Sequence, residues 1–219
     1  SGSFMETEDK ARELATELVR VGKLAGKKTV GVITDMDEPL GNAIGNALEV
    51  KEAIEVLKGE KKGELLELCL TLGSCILTQA GIAETENEAR TMLQKGIDDG
   101  SALKKLAELV EGQDGDPKAV YNTGLLPKAP VQLEVKSDKA GFVRHISAKD
   151  VGLVSMHLGG GRVTKESIID LSVGVILDKK VADRVELDEA LGVIHAQTME
   201  KAQEAAQILK NCYTIVDEP

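Results

Sequence analysis

Ala11, Leu14, Leu18, Val21 and Ala25 fall three or four residues apart, the spacing that lines one face of a helix. Thr7 stands where an N-cap belongs and Gly26 where a helix closes, so the pattern predicts a first helix between them. KTVGVIT, Lys28 to Thr34, is a short β-branched run and predicts a strand. After a loop, Ala47, Val50, Ile54 and Leu57 form a second helical stripe that ends at Gly59. Glu49, Glu52, Glu55 and Lys58 sit largely off that stripe, which puts Glu52 on a solvated face. Helix, strand, loop and helix in succession make an α/β unit.

GELLELCLTLGSCILTQAG is apolar nearly all round and predicts a helix buried on most sides. Thr85 and Glu88 have capping-box spacing before ARTMLQKG. A further helix spans about Ser101 to Glu111 and runs into the turn cluster GQDGDP. Beyond LPKAP the pattern switches to short extended runs: VQLEV, GFVRHISA, SVGVILD, ALGVIHA and YTIV. One short helix, about Lys149 to Leu158, interrupts them, and another, Met199 to Lys210, precedes the last run. The expected fold is therefore α/β, with helices packed on part of a mixed sheet in residues 1–128. A small β-rich domain follows in 129–219. Gly174 to Ala196 reads strand, tight turn, strand, like half of a barrel-sandwich hybrid of the biotinyl/lipoyl type. Lys179 and Lys180 stand at its turn outside any lysine-modification motif, so the shape is expected without the carrier function.

Composition narrows the function classes. The 219 residues carry 27 Lys and Arg against 37 Asp and Glu, a formal charge of -10. That balance argues against a nucleic-acid or anionic-membrane surface. Aromatic residues are 2% with no Trp, so the core must be built from Leu, Val, Ile and Ala. No apolar run has the length of a membrane span, and SGSFMETEDK has neither the basic nor the apolar part of a signal peptide. Cys69, Cys75 and Cys212 have no metal-type spacing and are expected as reduced thiols in a cytoplasmic protein.

Candidate chemistry is sparse. GGGR, Gly159 to Arg162, lacks the spacing of a P-loop or dinucleotide fingerprint and reads as a turn after a helix. His145, His157 and His195 have no metal-pair spacing, which leaves them structural roles. No G-x-S-x-G is present. The stretch DMDEPLGNAIGNALEVKEAI, Asp35 to Ile54, combines a backbone-rich loop, PLGNA, with carboxylates on the following helix. Carbonyls and one carboxylate suit an oxygen-loving cation.

The same stretch carries a resemblance. With SGSFM, ELCLTLG, GLLPKAP and HLGGGRVTKESIIDLSVGVILDKKVADRVELDEALGVIHA, in that order, it resembles the pyrimidine-nucleoside phosphorylases, close to thymidine phosphorylase. The resemblance runs along nearly the whole chain. It implies a cytoplasmic pentosyltransferase of nucleoside salvage, which takes a pyrimidine nucleoside and phosphate to free base and pentose 1-phosphate. It implies a homodimer with no organic cofactor, phosphate as co-substrate and potassium as a monovalent cation. The family's glycine-rich phosphate segment and its Arg, Ser and Lys base clamp precede SGSFM and are not matched here. The resemblance therefore implies no catalytic residue in this chain, which corresponds to the C-terminal portion and is expected to be inactive alone. By position, the cation ligands fall on Leu40 and Ala43 through their carbonyls and on Glu52. Phe4 falls on the wall of the pyrimidine pocket. Two other readings stand beside this one: a related phosphoribosyltransferase-type enzyme, which the β-rich tail disfavours, and a non-catalytic lipoyl-like interaction module.

Overall fold

The computed structural model describes Met5 and residues 7–218. They form two compact units, and the chain visits each twice. One unit comprises residues 7–35 and Glu55–Val120; the other comprises Met36–Ile54 and 121–218.

The first unit is helical. α1 (Glu8–Leu24) starts at the Thr7 cap, whose hydroxyl accepts from the Lys10 N–H. It ends in a Schellman closure, with Lys27 N–H donating to Gly22 O and Gly26 N–H to Lys23 O, and Gly26 at φ 71°. Lys28–Thr34 forms no strand. It runs extended along α1, with Gly31 against Ala15 and Val19, and pairs with no other strand among the described residues. A β-branched run becomes a strand only where a neighbour takes its ladder hydrogen bonds. α2 (Asn46–Leu57) begins in the other unit and ends here. α3 (Glu64–Gln79), α4 (Glu86–Asp98) and α5 (Ser101–Glu111) follow, and Val56, Leu66, Leu70 and Ile97 make a small core. Only Leu66, Leu70 and Ser74 of α3 are buried, while Leu72 and Ile76 are exposed, so α3 buries one stripe rather than most of its surface. The α4 capping box forms with a shift: Thr85 takes the Glu88 N–H, and the Glu88 carboxylate takes that of Glu84.

The second unit holds the main core and both sheets. After the short α6 (Lys118–Tyr121) and a 3₁₀ turn at Thr123–Leu125, the strands are β2 (Val131–Lys136), β3 (Gly141–Ile146), β4 (Gly174–Leu177), β5 (Arg184–Val185), β6 (Ala190–Ala196) and β7 (Tyr213–Val216). A two-residue strand, β1 (Ala43–Ile44), comes from the earlier visit. One sheet has the order β1-β4-β6-β2 and the other β5-β3-β7, and every pairing is antiparallel. Between β4 and β6 the chain crosses to the other sheet as β5 and returns, as expected of a barrel-sandwich arrangement. Gly174 permits β1 to lie close, because a Cβ there would meet Ile44 O at 2.3 Å. α7 (Ala148–Ser155) ends in a wide turn at Met156–Gly160, and Gly159 (φ 106°) reverses the chain. α8 (Met199–Asn211) buries Ala202, Ala205, Ala206 and Leu209, and the alanines let it sit close on β2 and β6.

Candidate functional site

The loop Pro39–Ala43 is held from both sides. On one side lies α2. Glu52, expected on a solvated face, is only 4% exposed. Its Oε1 accepts the Asn42 N–H at 2.9 Å, and its Oε2 accepts the Ala43 N–H at 3.1 Å. The buried face of α2 within this unit is Ala47, Leu48, Glu52 and Ile54, while Val50 is 47% exposed. Of the predicted stripe, Ala47 and Ile54 are buried and Val50 is not; periodicity missed Glu52, because a buried carboxylate reads as polar in any apolar pattern. Gly41 (φ 74°) is required beside it, since a Cβ there would lie 2.6 Å from Glu52 Oε2.

On the other side lies the turn after β4. The Lys180 ammonium donates to Pro39 O, to Gly41 O at 3.2 Å and to the Glu38 carboxylate at 3.3 Å. Glu38 Oε2 also accepts the Val181 N–H at 3.0 Å. The Lys179 ammonium donates to Arg184 O and pairs with Glu189. Both lysine side chains are 18% exposed, so neither projects from the turn as a free tip. The clamp by Lys180 escapes sequence reasoning because 141 residues separate it from Pro39.

Asn42 makes the loop compatible with the sheet. Its O accepts the Leu177 N–H at 2.7 Å, and its side-chain amide donates to Leu177 O at 2.8 Å. The Asn42 N–H is thereby released to Glu52. Hydrogen-bonded and non-hydrogen-bonded pairs alternate in an antiparallel ladder, so Ala43 and Ile176 form a non-hydrogen-bonded pair. The Ala43 N–H and carbonyl therefore both face away from β4, and the N–H reaches Glu52. The Leu40 carbonyl accepts no hydrogen bond among the described residues, and the Leu40 side chain is 47% exposed. Ala43 is thus hydrogen-bonded to Glu52, and Leu40 stands three residues before it on the same loop, so two loop carbonyls and a helix carboxylate belong to neighbouring residues. That donor set fits a hard monovalent cation. No group of three or more His, Cys, Asp or Glu side chains among the described residues could hold a metal.

The other candidates stay apart. GGGR closes α7: Gly159 O accepts the Asp170 N–H, and Gly160 O accepts the Asn46 side-chain amide. His157 meets Glu204 at 3.2 Å on the surface, His145 lies half-buried in β3, and His195 is buried in β6. Burial pushes the Cys212 thiol up to about 11, with Asp150 adding to the effect. Phe4 lies outside the described residues. No helix among the described residues is long and apolar enough to cross a membrane.

The chain is similar to known proteins along its length. Residues 1–103 match the glycosyl transferase family a/b domain, and residues 142–216 match the pyrimidine nucleoside phosphorylase C-terminal domain. Pyrimidine-nucleoside phosphorylases of Staphylococcus aureus strains bovine RF122 / ET3-1 and USA300 are each 44% identical to the chain over 217 residues. Each alignment covers 99% of this chain and 50% of the relative, so the chain spans half the length of the curated relatives it matches. Matched over 99% of its length, with family models on residues 1–103 and 142–216, the chain belongs to the pyrimidine-nucleoside phosphorylase family.

Proposed function

We propose that these residues serve a phosphorylase that takes a pyrimidine nucleoside and phosphate to free base and pentose 1-phosphate. The observation that carries the reading is the 44% identity maintained over 99% of the chain to proteins of that name. Displacement at the sugar C1 needs phosphate held on one face and negative charge stabilised on the departing base. The residues the family uses for those two tasks have no counterpart in this sequence, so the 219 residues by themselves do not catalyse the reaction.

What this chain supplies is support. Leu40, Ala43 and Glu52 hold a monovalent cation, potassium, which when bound offsets anionic charge beside the phosphate. Lys180 and the two N–H groups on Glu52 fix the loop that carries those ligands. Phe4 contributes to the wall of the base pocket. The division near residue 128 separates the end of the phosphorylase α/β domain from its small β-rich domain. The working protein is a cytoplasmic homodimer of nucleoside salvage, without an organic cofactor.

The test is phosphate-dependent release of uracil from uridine and of thymine from thymidine. The chain is assayed beside the same residues in a protein extended upstream to the length of the relatives. Turnover by the extended protein alone is expected. Turnover by the 219 residues would refute their incompleteness, and no turnover by either would remove the phosphorylase reading. In the extended protein, Glu52→Gln is expected to blunt activation by potassium; an unchanged potassium response would remove the cation assignment.

A further inference from the structure

An open apolar surface lies in the helical unit. No residue of α1 is buried, although its sequence is amphipathic. One flank of the helix faces the extended run Lys28–Thr34. A Cβ on Gly31 would stand 3.2 Å from the Ala15 Cβ, and one on Gly22 would stand 2.9 Å from the Thr29 Cβ. At 3.6 residues per turn, Leu14, Leu18 and Val21 line the strip beside that flank. The strip is bare: Leu18 is 58% exposed, and Leu14 and Val21 are exposed with it.

The extended run is open in the same way. From Thr29 to Thr34 its backbone N–H and carbonyl groups make no hydrogen bond among the described residues. Val30, Val32 and Ile33 are exposed. Unpaired extended backbone is a template for a further strand. A strand laid beside it stands about 4.8 Å away, and on the Leu14 side it lies over the strip that Lys28–Thr34 leaves bare. One occupant therefore meets both needs: an extended segment that gives ladder hydrogen bonds to the run and apolar side chains to the strip.

We propose that this surface receives the other half of the protein, through a strand that pairs with Lys28–Thr34 and packs on Leu14, Leu18 and Val21. Residues 1–103 match an a/b domain, yet the described residues of the helical unit hold helices and no strand. An α/β layer buries its helices against a sheet, so the sheet must be completed from elsewhere. The inference rests on the phosphorylase reading. The relatives are twice as long as the stretch they share with this chain, and the C-terminal-domain match at residues 142–216 puts their remaining half upstream.

The experiment reads assembly and not turnover. This chain is produced together with the unmatched half of the Staphylococcus aureus relative as a separate tagged polypeptide, and the purified product is sized by light scattering. A complex of one copy of each is expected. In it the amides of Thr29–Thr34 are expected to exchange with deuterium roughly a hundredfold more slowly than in the chain alone. Val32→Pro removes a ladder donor and Leu18→Glu puts a charge on the strip, and each is expected to abolish co-purification. Both positions are exposed, so the variants keep the fold of the chain. If the separate half is insoluble, exchange is compared between this chain and the same residues in the upstream-extended protein. Two soluble halves that do not associate overturn the proposal, as does equal exchange of these amides with and without the other half. A dimer of this chain alone with those amides already protected assigns the surface to a second copy and overturns it too. Protected amides in an extended protein that releases no base would remove the phosphorylase reading and uphold the docking surface.

Discussion

Glu52→Gln isolates the interaction on which the loop depends. The carboxylate accepts one N–H on each oxygen, from Asn42 at 2.9 Å and Ala43 at 3.1 Å, at a residue 4% exposed. Glutamine keeps the shape and one acceptor. Its NH2 then opposes the second backbone N–H, leaving a buried donor unpaired at a cost of about 1–3 kcal/mol. The surviving bond changes from charge-assisted to neutral and loses roughly 1 kcal/mol. Relief from burying the charge offsets part of this. The expected net loss is about 2–3 kcal/mol, which lowers the melting temperature by roughly 4–12 °C for a chain of this size. Urea denaturation followed by circular dichroism gives the stability change, and amide exchange shows whether Asn42 and Ala43 lose protection before their neighbours. A change below about 0.5 kcal/mol, the ordinary surface range, with both amides still protected, would refute the reasoning.

Lys180→Met removes the ammonium from Pro39 O, Gly41 O and Glu38 while keeping most of the aliphatic stem. It is expected to cost about 1–3 kcal/mol, read by urea denaturation; a neutral result would make the clamp ornamental. Thiol labelling with iodoacetamide is expected at exposed Cys69 in the native state and at Cys212 only after unfolding, because Cys212 is buried and its thiol is pushed up to about 11. Native labelling of Cys212, read by peptide mass analysis, would contradict its burial. His195 is held below its ordinary value of 6.5 by burial and then by Lys51. The unfolded chain therefore binds the extra proton first, so this residue's contribution to stability is present above about 6.5 and is lost as pH falls below it. An NMR titration of the imidazole with a midpoint at or above 6.5 would contradict this.

Local signals in the sequence survived wherever the partner was also local. The Thr7 cap and the Gly26 closure of α1 depend on residues within a few positions, and both formed. The extended runs 131–136, 141–146 and 190–196 alternate or carry continuous apolar sequence, and all became strands with defined register. Lys28–Thr34 had the same composition but no neighbour to pair with, so its β-branched residues determined a local preference and nothing more. β1, only Ala43–Ile44, is too short for any period and exists because β4 provides the ladder. Leu40, Ala43 and Glu52 were identified by resemblance. Their geometry was not legible, because it is set by Asn42, Leu177 and Lys180 acting across more than 130 residues.

That separation has a consequence for how the protein comes to be folded. The Pro39–Ala43 loop receives its shape from strand β4 and from Lys180, so during synthesis it must wait until the chain has grown by some 140 residues. Contacts so distant in sequence close late and slowly. Until then the loop lacks its contacts with β4 and Lys180, while α3 to α5 can already pack from neighbouring sequence. The helical unit is thus the natural first product of folding, and completion of β4 and its turn is the event that assembles the loop.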